Sequence, residues 1–261
     1  MLKYHGSKTI CLRLAATFFL CQSALAGESV KDIQADKWGY LRDHFSTRKA
    51  EQGVIQEITK TDAGAVNFQK LTFTVAPVVT LVQSTGAPGE YKSTWTYIAA
   101  GGPFVSLLDE ETSNGFATAQ NYSLVYRGLI SIYGQRVLLG SPSAAPITEM
   151  KKLKSFSALT VAKAGEGELD YQYEFAPSRQ IMNFKQTFLH CVYGAVYPAS
   201  NINAKLMGDA QDLECEFRND NNVATAKSTH ALLASYGIAI TKKLVFSNRT
   251  TVFNIEDAKV E

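Results

Sequence analysis

The clearest pattern in the chain is a strict alternation of apolar and polar residues between positions 169 and 175. Leu169, Tyr171, Tyr173 and Phe175 occupy the odd positions, and polar or acidic residues occupy the even ones. Successive side chains of a β-strand point to opposite faces, so this alternation predicts a strand with one buried and one solvated face. Residues 91–97 alternate in the same way. Both segments are predicted to be half-buried antiparallel strands.

Runs rich in β-branched and aromatic residues recur along most of the chain, with turn-forming Gly, Pro and Asn residues between them. Further strands are predicted at residues 54–58, 68–75, 78–82, 104–108, 116–126, 129–139, 181–192, 213–217, 238–246 and 250–255. Short turns between strands indicate an antiparallel meander and argue against βαβ units. The sequence therefore predicts a mainly β (β-rich α+β) fold in which the meander forms a curved sheet, a sandwich or a half-barrel.

Two segments depart from the strand pattern and predict helices. In residues 31–50, Trp38, Leu41 and Phe45 fall at helical spacing, which predicts an N-terminal amphipathic helix. In residues 225–235 a partial apolar face is followed by a glycine, which is typical of a helix end. A short C-terminal helix is therefore predicted there.

The first 26 residues have the composition of a secretory signal peptide. Basic residues precede an apolar run at 14–21, and the segment closes on the small-residue triplet at 24–26. The apolar run is shorter than the roughly 20 residues that a membrane-spanning helix needs. We therefore expect an exported protein, periplasmic or secreted, with no transmembrane segment in the mature chain. Residues 27–261 are expected to form a single β-rich domain, with a possible sub-division near 140–146.

The charge balance gives no sign of nucleic-acid binding. The whole chain has 26 basic and 24 acidic residues, and the predicted signal peptide contains three of the basic ones and none of the acidic ones. Taking three from 26 leaves 23 basic residues against 24 acidic ones in the mature chain. Proteins that bind nucleic acid carry clustered Lys and Arg in excess, so we expect no nucleic-acid partner.

Cys191 and Cys215 are the two cysteines that remain after removal of the predicted signal peptide. In an exported protein such a pair predicts a disulfide bond. The competing interpretation makes Cys191 a nucleophile with His190 as its base. Adjacent residues of a strand point to opposite faces, so His190 is poorly placed for that role.

The sequence contains no local catalytic or metal motif. It has no Gly-x-Ser-x-Gly, no HExxH and no CxxC, and its mature histidines, His44, His190 and His230, are far apart in sequence. We therefore expect no catalytic residue, no cofactor and no metal. Acidic residues occur at 109–111 and at 166 and 168. They leave open the alternative that the protein is an exported hydrolase, with a carboxylate-based site that the fold assembles from distant residues.

Aromatic residues are the remaining functional signal. Tyr91, Trp95, Tyr97, Tyr171 and Tyr173 occupy alternate positions of two predicted strands, so each set faces one side of the sheet. They are either core residues or the wall of a concave site, and we assign them as candidate ligand-binding residues. The sequence thus favours an exported, non-enzymatic binding protein whose partner is an apolar small molecule or a protein. A structural or inhibitor protein of the envelope, acting through a sheet edge, is the other alternative.

Overall fold

A computed structural model describes residues 28–81, 90–161 and 166–261. The predicted signal peptide, residues 1–26, lies outside this part of the chain. The helices are α1 (Val30–Ala35), α2 (Lys37–His44) and α3 (Gln52–Thr61), with a short 3-10 helix at Ala199–Asn201. The strands are β1 (Lys70–Leu81), β2 (Tyr91–Ala99), β3 (Phe104–Ser113), β4 (Phe116–Tyr126), β5 (Ile130–Leu138), β6 (Thr148–Ser155), β7 (Glu168–Pro177), β8 (Lys185–Pro198), β9 (Asp209–Asn219), β10 (Ala224–Leu233), β11 (Ile238–Val245) and β12 (Arg249–Val260). In the described ranges, none of the helices has the length and hydrophobicity needed to cross a bilayer.

The twelve strands form one closed antiparallel barrel. Each strand pairs with the next along the chain, and β12 returns to pair with β1. The predicted mainly β, antiparallel meander is confirmed. The finer expectation of a curved sheet, sandwich or half-barrel is corrected, because the first and last strands join. Pairing is shortest between β5 and β6, where Tyr133 faces Glu149 and Gly134 faces Thr148.

The N-terminal region is helical, but the single helix predicted over residues 31–50 is wrong in extent. α1 and α2 are separated by Asp36, whose φ of −144° is not helical. The Asp36 side chain accepts a hydrogen bond from the backbone amide of Gly39 at 2.9 Å, which makes it the N-cap of α2. α2 then ends at His44. A capping aspartate in the middle of the apolar pattern is therefore the reason for the break.

The strand predicted at residues 54–58 is also wrong, because this segment lies within α3. Val54 and Ile58 are both buried, and residues four apart lie on the same face of a helix. β-branched residues favour strands only weakly, and tertiary packing overrides that preference. The helical spacing of the two buried residues was the better signal.

The short C-terminal helix predicted at residues 225–235 is wrong as well, since β10 covers most of this range. β10 pairs with β9 on one side and with β11 on the other. Its last four residues, His230 to Leu233, are all buried, so both faces of the strand are covered. A strand that is apolar on both faces shows no alternation, and for that reason the sequence resembled one side of a helix.

The described residues form three hydrophobic cores, and two of them lie on opposite faces of the sheet. The α3 core surrounds helix α3, and the Trp95 core lies around Trp95. Neighbouring residues of one strand belong to different cores: Leu124 to the α3 core and Val125 to the Trp95 core. The same holds for Leu232 and Leu233 of β10. Because adjacent side chains point to opposite faces, these strands are buried on both sides.

A buried ion pair joins the end of α3 to the turn between β4 and β5. The Arg127 guanidinium donates to both carboxylate oxygens of Asp62, at 2.5 and 2.8 Å, and Tyr126 donates to the same carboxylate at 2.7 Å. Arg127 also donates to the carbonyl oxygens of Gly64 and Gly237. Burial by itself would raise the pKa of Asp62, but the hydrogen bonds and positive charge of Arg127 lower it below its usual value. The pair therefore connects three separate parts of the chain.

The segment 140–146, where a sub-division of the domain was expected to be possible, lies against the residues before α1. Ser143 forms an isolated antiparallel bridge with Ser29. The Ala144 amide donates to the Glu28 carbonyl at 3.0 Å, and Ala144 is buried. The segment is therefore hydrogen-bonded to the start of the described chain.

Candidate ligand cavity

The structure separates the five candidate aromatic residues into different environments. Trp95 and Tyr97, on β2, are buried in the Trp95 core, whereas Tyr91 at the start of that strand is 43% exposed. Tyr171 and Tyr173, on β7, are buried in the α3 core. The two strands therefore do not contribute to one shared aromatic wall. Their assignment as ligand-binding residues stays a prediction, and Tyr173 is the one of the five that lines the cavity described next.

A cavity of about 780 Å³ opens at one end of the barrel. It is lined by the last residues of β7, β9 and β11 and the first residues of β8 and β10, which share one end of the antiparallel barrel, and by residues 129–131 at the start of β5. Its lining residues are Leu129, Ile130, Ser131, Tyr173, Phe175, Lys185, Gln186, Thr187, Phe217, Arg218, Asn219, Asp220, Thr225, Ala226, Leu244 and Phe246. We call this space the barrel-end cavity.

Strand register explains why aromatic side chains line the barrel-end cavity. Tyr173 of β7 faces Thr187 of β8, and Leu189, two residues further along β8, faces Phe217 of β9. Residues two apart share a face, so Phe175 lies on the same side as Tyr173. Phe175 and Phe217 are half-buried and pack against the α3 core. The apolar floor of the cavity is therefore continuous with that core.

The rim of the barrel-end cavity carries polar and charged groups. Arg218 donates to Glu216 at 2.6 Å, and Lys185 is exposed at the start of β8. Phe246, which lines the cavity, has the guanidinium of Arg249, a residue outside the lining, 4.8 Å from its ring centre, which is cation–π geometry. Below the rim, burial raises the pKa of Tyr173 to about 12, so its hydroxyl stays protonated at neutral pH. The cavity thus combines an apolar interior with a polar entrance.

The sequence pointed to Tyr173 but missed the other aromatic residues of the cavity. Phe175 belongs to the alternation that first indicated a strand, and Phe217 lies two residues after Cys215 on the same face. Both could have been found by noting that residues two apart in a strand lie on the same face. Phe246 lies just after β11, at the end of the strand predicted at 238–246 and two residues after Leu244, which also lines the cavity.

Cys191 and Cys215 are joined by a disulfide bond between β8 and β9. They face each other in the strand register, and both are buried in the α3 core. The strand predicted at residues 181–192 is observed as β8, which begins at Lys185 and continues to Pro198. The disulfide therefore joins two paired strands, and Cys191 has no free thiol to act as a nucleophile.

The acidic run at 109–111 is divided between the two faces of β3. Asp109 and Glu111 both accept hydrogen bonds from the Asn121 amide, at 3.0 and 2.7 Å, and Arg136 donates to Glu111. Glu110 faces the other way and pairs with Lys37. Burial raises the pKa of Asp109 to about 6, an effect that the Asn121 hydrogen bond partly offsets. None of these three acids lines the barrel-end cavity.

His230 is buried between β9 and β11 and is held by two hydroxyl groups. Ser228 Oγ lies 2.8 Å from its Nε2 atom, and Thr241 Oγ1 lies 3.3 Å from its Nδ1 atom. Burial lowers the pKa of His230 to about 4, because a charged imidazole would lose its hydration there. His230 is therefore a neutral structural residue at physiological pH.

This burial predicts a loss of stability in mild acid. The folded-state pKa of His230 is about 4 and the unfolded value is about 6.5, so the unfolded chain takes up the proton first. Because His230 is protonated in the unfolded chain before it is protonated in the folded protein, it lowers the free energy of unfolding by about 2 kcal/mol between pH 7 and pH 5. Asp109, whose pKa is raised, titrates in both proteins, so urea titrations at both pH values should show the wild type losing about 2 kcal/mol more than His230→Asn on going from pH 7 to pH 5.

The matched control is His44→Asn, which removes a partly exposed histidine. Parallel loss of stability in the wild type and in His230→Asn would contradict the assignment to His230.

Comparison with known proteins gives one structural similarity. No protein-family model matches the chain, and no curated protein matches it. Among solved structures, the chain is similar to the crystal structure of a β-barrel-like protein of domain of unknown function DUF1849 from Brucella abortus. The sequences are 6% identical, the match covers 76% of this chain and 100% of the other, and the TM-score is 0.46.

Proposed function

We propose that this protein is an exported binding protein that holds an apolar small molecule in the barrel-end cavity. The observation that carries the proposal is the cavity itself, about 780 Å³ in volume and lined by Tyr173, Phe175, Phe217 and Phe246. Small-molecule sites are typically concave, mostly apolar and about 300–1,000 Å³ in volume, with a few polar groups that orient the ligand. The polar rim supplies such groups.

Export is the second part of the proposal. The disulfide between Cys191 and Cys215 is consistent with an oxidising compartment, and residues 1–26 have the composition of a secretory signal. Both observations support a periplasmic or secreted protein. The strands of the described chain each have two neighbours, so the proposal does not include action through a free sheet edge.

Filling the cavity is expected to abolish most ligand binding. Ala226 lines the barrel-end cavity and is half-buried, so Ala226→Trp places a bulky ring in the ligand space. We expect the affinity for the neutral apolar fluorophore N-phenylnaphthylamine to fall about tenfold or more, because the ring takes the volume that the fluorophore needs. Fluorescence titration of the oxidised protein measures the affinity.

The neighbouring residue provides a matched control. Lys227 points to the opposite face of β10, and its side chain is 68% exposed. Lys227→Trp introduces the same ring outside the cavity and should leave the affinity within about twofold of the wild type. Equal loss in both variants, or no saturable binding by the wild type, would contradict the proposed function.

A further inference from the structure

A cluster of three potential metal ligands lies outside the barrel-end cavity, on the outer face of β7 and β8. It consists of Glu168, Asp170 and His190, whose ligand atoms all lie within 4.8 Å of one another. Glu168 and Asp170 are two residues apart on β7 and so share a face. Asp170 faces His190 directly across the strand pair, and His190 Nδ1 lies 2.9 Å from Asp170 Oδ1.

We propose that Glu168, Asp170 and His190 form a surface site for a divalent transition-metal ion of the zinc type. One imidazole nitrogen and two carboxylate oxygens are ligands that zinc accepts, at about 2.0–2.2 Å from the metal. Two such ligands of a tetrahedral ion lie about 3.3 Å apart. The 2.9 Å between Asp170 and His190 therefore opens by a few tenths of an ångström, and ligand atoms that lie further apart, up to 4.8 Å, close by about 1.5 Å at most.

The ligand set favours zinc over the hard cations. Calcium takes six to eight oxygen ligands, and magnesium takes six ligands, nearly all oxygen, whereas this cluster offers a nitrogen and at most four carboxylate oxygens. Imidazole combined with carboxylate is typical of zinc and of its neighbours copper and nickel. Three protein ligands leave the fourth position of a tetrahedral ion open to solvent.

The surrounding strands hold these ligands in place. His190 precedes Cys191, whose disulfide joins β8 to β9, and β7 pairs with β8 along eight residues from Glu168 to Phe175. Ligands on paired strands are positioned more precisely than ligands on loops. On the same outer face, Glu216 of β9 faces His190 across the next strand pair, where its carboxylate is paired with Arg218 and Lys227. The sequence gave no motif for this site, because its ligands come from two strands about 20 positions apart.

Isothermal titration of the oxidised, metal-free protein with zinc chloride tests the site. We expect one zinc ion per chain, and we expect His190→Ala to lower the affinity at least about tenfold. Asp170→Asn and Glu168→Gln keep the size of the side chain but remove its charge, and each should also weaken binding. All three positions are at least partly exposed, and an unchanged melting temperature would show that the variants are folded.

His44→Ala is the matched control, because it removes a partly exposed histidine that lies 3.7 Å from a glutamate oxygen of Glu28. It should bind zinc as the wild type does. The proposal is overturned if the wild type binds no zinc with one-to-one stoichiometry, or if His190→Ala binds as tightly as the wild type. Loss of binding in His44→Ala alone would assign the zinc to a different site and would also overturn it.

Discussion

Replacing Arg127 by methionine is expected to lower the free energy of unfolding by about 3–5 kcal/mol. The side chains of Arg127 and Asp62 are 9% and 8% exposed, so the variant leaves a carboxylate buried without its partner. The carbonyl oxygens of Gly64 and Gly237 also lose a hydrogen-bond donor. Chemical denaturation of the wild type and the variant at pH 7, monitored by circular dichroism, measures the difference in their free energies of unfolding.

A surface ion pair supplies the control for this variant. Lys205 and Asp257 are paired at 2.6 Å, but both side chains are more than half exposed. Exposed pairs contribute little because water and salt screen them, so Lys205→Met should change stability much less than Arg127→Met. Equal effects of the two variants would show that the Asp62–Arg127 pair does not hold α3 to the barrel.

Removal of the disulfide is expected to have the second large effect. The double variant Cys191→Ala/Cys215→Ala opens a crosslink with a sequence separation of 24, which corresponds to roughly 3–4 kcal/mol of chain entropy in the unfolded state. Both cysteines are buried, so the smaller side chains also lose packing contacts in the α3 core. Thermal and urea unfolding of the oxidised wild type and of the double variant measure the difference.

Chemical reduction of the wild type is the control for the disulfide variant. The reduced wild type keeps both cysteine side chains, so it separates the effect of the crosslink from the effect of packing. We expect most of the loss to appear on reduction alone. A reduced protein that is as stable as the oxidised one would contradict the stabilising role of this disulfide.

Much of the β-sheet could be predicted from the sequence, because most strands are half-buried. β7 alternates strictly from Leu169 to Phe175, and the structure buries Leu169, Tyr171 and Tyr173 while leaving Asp170 exposed. This periodicity is a local property of a strand with one solvated face. The antiparallel order followed from short connections between such strands.

The errors arose where burial depends on distant parts of the chain. β10 is covered on both faces, so Ala231 and Leu232 gave no alternation and resembled a helix. Val54 and Ile58 were assigned to a strand, although their spacing of four fits the buried side of α3. Closure of the barrel depends on the pairing of β1 with β12, which no local pattern specifies.

The candidate site was only partly accessible to sequence reasoning for the same reason. The aromatic residues of β2 and β7 do alternate along strands, as the sequence predicted. The strand register nevertheless places Trp95 and Tyr173 in different hydrophobic cores. The barrel-end cavity draws its lining from six strand ends, and no segment of the sequence shows that these ends meet. Composition and alternation identified aromatic candidates, whereas the three-dimensional fold decides which of them face a cavity.

Locating a bound ligand is the most direct test of the central claim that the barrel-end cavity binds apolar molecules. A crystal of the oxidised protein grown with a fatty-chain ligand brominated at its tail would reveal the bromine by anomalous scattering. The account predicts one bromine site inside the cavity, in contact with Tyr173, Phe217 or Phe246. A bromine bound elsewhere, such as in the cavity beside Trp38, or an empty barrel-end cavity at saturating ligand, would contradict it.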